Sequence, residues 1–180
     1  MKKAFLKIGK AALILLAALV FGGAAAFAME WIALGDAQAA LDWCRGALAP
    51  FCLTAMFYGG AALFLALLTG RLWIGTLGVS AVAVGLALVS YFKFAINGSP
   101  LELEDFGMIG QLNQVMGVAG NLTIPGFAWA AIGMLVLVTL FFLLLGKKLT
   151  LGSGRTRFLL LSFELALILG LTIGPGASAL

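Results

Sequence analysis

The chain is a succession of long apolar stretches separated by short polar ones. Apolar runs extend from about Ala11 to Met29, Phe51 to Thr69, Trp73 to Ile96, Phe127 to Leu145 and Phe158 to Ile173. Each is read as a span, since crossing the hydrocarbon layer takes roughly 20 apolar residues as a helix. None shows the strict alternation of an outer-membrane barrel strand. The pattern therefore predicts an all-α polytopic membrane protein: one transmembrane domain over residues 1–180, with five helices.

Composition agrees. The 180 residues are 63% hydrophobic and 10% charged, and they include no histidine. Soluble domains run at roughly 45–50% apolar and about 25% charged. A soluble enzyme, a disordered tail and a disulfide-stapled secreted domain are excluded on this ground. The formal charge of +4 would hint at nucleic acid if the basic residues clustered on a soluble surface. They do not. Lys2, Lys3, Lys7 and Lys10 precede the first span, Arg71 follows the second, and Lys147, Lys148, Arg155 and Arg157 follow the fourth. The opposite side collects Glu30, Asp36, Asp42, Glu102, Glu104 and Asp105, with only Arg45 and Lys93 among them. Lysine and arginine are retained on the cytoplasmic side of short loops, so the N-terminus is predicted inside and the C-terminus outside. The expected location is the cell membrane. The lysine-rich start can also touch anionic lipid, at about 1 kcal/mol per charge near the surface.

The N-terminus admits a second reading. A basic start, an apolar Ala11–Phe21 and Ala26-Phe27-Ala28 have the form of a cleavable signal peptide. Apolar character continues through Met29 to Trp31 and Ile32, which favours an uncleaved helix. The first external loop, Glu30 to Pro50, carries Trp31 and Trp43. These, with Trp73 and Trp129, lie near span ends, where amphipathic rings anchor among headgroups. Cys44 and Cys52 are the only cysteines. Their spacing leaves two readings open, a loop-closing disulfide or two separate thiols. Two cysteines without histidine are too few for a zinc site.

The external segment 97–125 holds a helix-start signature at Ser99-Pro100-Leu101-Glu102. Glu102, Glu104 and Asp105 crowd its first turn, where carboxylates favour the positive end of the helix dipole. Phe106, Ile109, Leu112 or Asn113, and Met116 recur at helical spacing, while Gly107, Gly110, Gly117 and Gly120 weaken the helix in water. A short amphipathic helix along the outer surface is expected between spans three and four. Ordinary capping outweighs metal binding by the three acids. Asn97-Gly98-Ser99 and Asn121-Leu122-Thr123 match the glycosylation sequon, a pattern common by chance.

Within the bilayer, Ala18, Gly22 and Ala26, and Ala81 with Gly85, are small residues four apart that let helices approach closely. Glu164 is the one acid well inside a span, about 10 Å deep at 1.5 Å per residue. A carboxylate there is costly, so it is expected to be neutralised, turned into the bundle, or paired with Arg71 or a hydroxyl such as Ser162. A proton or ion relay needs several such groups, and a single one points to a structural or lipid-contact role.

The segment Tyr91 to Phe106, reading YFKFAINGSPLELEDF, resembles the end of the third helix and the following loop of lipoteichoic acid synthases and related phosphoglycerol transferases of the alkaline-phosphatase/sulfatase superfamily. Lys93, Gly98, Pro100, Leu101, Asp105 and Phe106 match that pattern, and Asn97 stands where the family carries arginine. The resemblance covers about sixteen residues, and the five-span topology extends it. It implies a membrane module that anchors an extracellular domain with a threonine nucleophile and a divalent metal, moving glycerol phosphate from a lipid headgroup to a polymer. No catalytic or cofactor-binding residue of that kind is expected in these 180 residues, which read as a fragment or a stand-alone relative. Expected partners are membrane lipids, including anionic or glycerophospholipids, and a following catalytic domain, with Lys93, Asn97, Pro100, Glu102 and Asp105 as the lipid or domain contact. A small transporter or accessory membrane subunit is the alternative, and a membrane-embedded enzyme ranks behind it.

Overall fold

The computed structural model describes residues 2–99 and 123–146. Among them the chain is all-helical: α1 Lys2–Leu34, α2 Ala37–Gly46, α3 Leu48–Thr69, α4 Leu72–Asn97 and α5 Gly126–Gly146. Four of these contain stretches long and apolar enough to cross a membrane: Ala12–Leu34, Leu48–Thr69, Leu72–Ile96 and Gly126–Leu144. They correspond to the first four predicted spans. The fifth, 158–173, lies outside the described residues, as does most of the segment 97–125.

Local chemistry explains the breaks. Gly35, Gly70 and Gly98 take φ near +73°, +74° and +72°, a left-handed conformation that glycine adopts without Cβ strain. Asp36 then caps α2, its carboxylate accepting from the Ala39 N–H at 2.9 Å. Pro50 sits in the first turn of α3, where its missing N–H leaves no hydrogen bond unmade. At the end of α3 the Thr69 hydroxyl donates to the Leu65 carbonyl at 2.8 Å, and the Arg71 N–H donates back to Thr69 Oγ1 at 3.4 Å.

The spanning helices run up and down around one core. In that core Phe21, Ala25, Ala28 and Ile32 of α1 meet Ala62 and Ala66 of α3, Ala87 of α4, and Ala128 and Ala131 of α5. Without a hydrophobic force between helices in lipid, close backbone approach supplies the packing. Gly22 is pressed on Ala55 and Gly59 of α3, and a Cβ at Gly59 would lie 2.6 Å from the Ala18 carbonyl oxygen. Gly75 of α4 is set equally tightly against Ala62 and Ala66. The Ala18–Gly22 pattern thus seats α1 on α3. The Ala81–Gly85 pattern does not join described helices: both residues are exposed, and nothing lies within 4 Å of where a Gly85 Cβ would stand.

Two boundaries differ from expectation. The first span runs on to Leu34, carrying Glu30 inside its last turns, and Ala26-Phe27-Ala28 falls within unbroken helix with both alanines fully buried. The segment Glu30–Pro50 is mostly helical, and its centre is the helix α2, which packs mainly on α1 and buries Ala40.

Candidate functional site

Three helix ends meet at one end of the bundle. The Tyr91 ring on α4 stands edge-on to Phe127 on α5, with centroids 5.3 Å apart, and to Phe92 at 5.4 Å. Both Tyr91 and Phe127 cover Gly35 at the end of α1, where an added Cβ would meet Phe127 at 3.4 Å and Tyr91 at 3.6 Å. Lys93 is half-buried one turn before α4 ends, a region where unsatisfied carbonyls favour a cation. Asn97 is the last residue of α4, and the Gly98 N–H closes the helix on the Phe94 carbonyl at 2.9 Å. Glu30, Asp36, Asp42 and Arg45 lie at this same end, whereas Arg71 lies at the opposite end, in the α3–α4 turn.

Beside this corner, α2 crosses between α1 and α3. Trp43 packs edge-on to Phe51 at 6.3 Å across the α2–α3 junction, with Cys44 and Cys52 next to those rings in sequence. Both are free thiols, Cys44 half-buried and Cys52 exposed. Burial pushes the Cys44 thiol above its ordinary range; the negative charge of Glu30 adds to the rise, and a backbone hydrogen bond opposes it. Asp42 and Arg45 approach to 3.9 Å on the exposed face of α2, a contact of little energetic weight in water.

A third feature lies deeper. Between α4 and α5 runs an apolar cleft of about 340 Å³, lined by Trp73, Leu77, Ile132 and Val136 among others. Tyr91 opposite Phe127 fixes an antiparallel register that brings Ser80 to the level of Thr139. Both hydroxyls line the cleft, both side chains are 8% exposed, and neither oxygen has a hydrogen-bond partner. Serine and threonine hydroxyls in helices can bond a carbonyl one turn back, as Thr76 does to Trp73 at 3.1 Å.

Of the residues singled out from the sequence, Lys93 and the end of α4 at Asn97 belong to the aromatic corner. Pro100, Glu102, Asp105 and Glu164 lie outside the described residues. Among the described residues, no three His, Cys, Asp or Glu side chains group closely enough to hold a metal ion. Sequence reasoning missed the Gly35–Tyr91–Phe127 contact, the influence of the Glu30 charge on Cys44, and the opposed hydroxyls. Each depends on the register between helices, which no single-chain pattern encodes.

Four helices of this length and composition mark the chain as a membrane protein of the helical class. No family model, curated protein or solved structure matches it.

Proposed function

We propose that the chain is a non-catalytic membrane-anchoring module of the kind carried by phosphoglycerol transferases. It sits in the cell membrane with five spans, the N-terminus inside and the C-terminus outside. Its task is to hold an extracellular catalytic domain at the membrane and to present a glycerophospholipid headgroup beside it. The observation that carries the reading is the Tyr91–Phe106 stretch, in which Lys93, Gly98, Pro100, Leu101, Asp105 and Phe106 match the family pattern.

Two physical features support it. The acids Glu30, Asp36 and Asp42 share one end of the bundle with Lys93 while Arg71 is at the other, as retention of basic residues in the cytoplasm requires. At the corner, packed rings hold the end of α4 against α1 and α5, so a headgroup phosphate would meet the Lys93 ammonium at a rigid edge. Such a contact is a point-charge one, since lysine lacks the planar fork of arginine, and Asn97 adds no charge.

The test is a chimaera. The full chain is fused ahead of a phosphoglycerol-transferase catalytic domain and expressed in cells lacking their own enzyme. Glycerophosphate polymer should be restored, and Lys93→Ala should lower it severalfold with membrane insertion unchanged. If a generic single-span anchor restores polymer equally well, the dedicated-module reading is wrong.

A further inference from the structure

We propose that α2 lies flat in the membrane–water boundary, with Leu41 set against lipid acyl chains and Gln38, Asp42 and Arg45 turned to water. The inference rests on α1 and α3 crossing the membrane and is independent of the anchor function.

Tethering is the first ground. The apolar stretch of α1 ends at Leu34 and that of α3 begins at Leu48, so both mark the edge of the hydrocarbon at the same end of the bundle. Gly35 and Asp36 link α1 to α2, and Ala47 alone links α2 to α3. Two residues reach about 7 Å when fully extended, and the interfacial layer on each side of the hydrocarbon is about 5–8 Å thick. Both ends of α2 are therefore held at that layer. As a helix its 10 residues measure about 15 Å, so an upright α2 would lift one end out of reach of its tether. Only a flat orientation satisfies both links.

The faces of α2 are the second ground. At about 100° per residue, Gln38, Asp42 and Arg45 share an arc of about 60°, and Ala40, Trp43 and Cys44 share another of about 100°. The first three are exposed and turned to one another: Gln38 donates to Asp42 at 3.3 Å, and Arg45 stands 3.9 Å from the same carboxylate oxygen. The second three are buried or half-buried, with α2 resting on α1 and Trp43 edge-on to Phe51. Leu41 falls between the two arcs and is 38% exposed. An interfacial helix sinks such an apolar edge into the boundary between headgroups and acyl chains. The neighbouring spans continue that surface, because Leu34 and Leu48 at their ends are exposed too. Trp31 and Trp43, near the same level, are residues that favour the headgroup zone.

Spin labelling in vesicles tests this. The full-length Cys44→Ser, Cys52→Ser protein is reconstituted in phosphatidylcholine. Gln38→Cys, Leu41→Cys, Asp42→Cys and Leu53→Cys are introduced singly and labelled with a nitroxide. Collisions are measured with oxygen, which concentrates in the bilayer, and with a nickel chelate, which stays in water. The oxygen-to-nickel ratio at Leu41→Cys should exceed that at Gln38→Cys and Asp42→Cys severalfold. It should stay below that at Leu53→Cys, an exposed site further along α3. Equal, nickel-favoured ratios at all three α2 sites would place the helix in water and overturn the proposal. A label at Leu41→Cys shielded from both reagents would overturn it as well, since protein and not lipid would then cover that edge.

Discussion

Replacing Gly22 by alanine asks how much of the bundle depends on one missing methyl group. The added Cβ would be driven into the Ala55 carbonyl and would stand 2.8 Å from the Gly59 amide nitrogen. Both obstacles are backbone, so no rotamer change relieves them. Restoring contacts near 3.5 Å requires α1 and α3 to part by roughly 1.5 Å, which forfeits about half or more of the dispersion energy along the seam. Overpacking typically costs about 1–3 kcal/mol, and a backbone clash at the closest helix pair belongs at the upper end. At about 2–4 °C per kcal/mol for a chain of this size, the midpoint should fall by about 4–12 °C. Thermal unfolding of the purified protein in mild detergent, followed by loss of the monodisperse chromatographic peak, measures it. Gly85→Ala is the control: its Cβ meets nothing within 4 Å, and alanine gains about 0.8–1 kcal/mol of helix propensity over glycine. Equal midpoints for the two variants, or a larger loss at Gly85, would refute the claim that close α1–α3 approach holds the bundle.

Three further outcomes are expected. In a Cys52→Ser protein, alkylation of Cys44 should accelerate only at pH values above those of an ordinary thiol, because burial and the Glu30 charge favour the protonated form; Glu30→Gln should move the profile toward lower pH. Asp36→Ala removes the cap of α2 at about 1 kcal/mol, so amide exchange over residues 39–42 should quicken about fivefold, read by mass spectrometry. Phe21→Ala empties a fully buried site whose ring stands edge-on to Phe142 at 6.3 Å. In lipid the loss is mainly packing, about 3 kcal/mol at the low end for such a change, and the same detergent assay should show it.

The four described spans were legible because each is a long apolar run, and their ends followed from glycine, proline and charge. Where boundaries differed, a polar residue had been read as an edge. Glu30 ends no helix, since α1 runs past it to Leu34 and leaves it half-buried. The helix α2 has a local signal, Asp36 as a cap ahead of an alanine-rich run, but it is too short to stand out by hydropathy. The small-residue motifs divided: Ala18–Gly22 makes a helix contact, Ala81–Gly85 makes none among described helices, and Gly75 makes one that no four-residue spacing announced. Lys93 at the corner came from a motif, whereas its aromatic surroundings and the Ser80–Thr139 level required knowing how α4 lies on α5.

The shortest connection between described spanning helices also bears on how the protein is made. Only Gly70 and Arg71 separate α3 from α4, and Thr69 ties that turn to the helix before it. So brief a link cannot wait on one face of the bilayer while the second helix is synthesised on the other. A two-residue link favours entry of the pair as a hairpin, the form in which Gly75 seats on Ala62 and Ala66. On the proposed topology Arg71 lies at the cytoplasmic tip of that hairpin, where a basic residue favours retention. Moving that charge should invert both helices together and leave neither half-inserted.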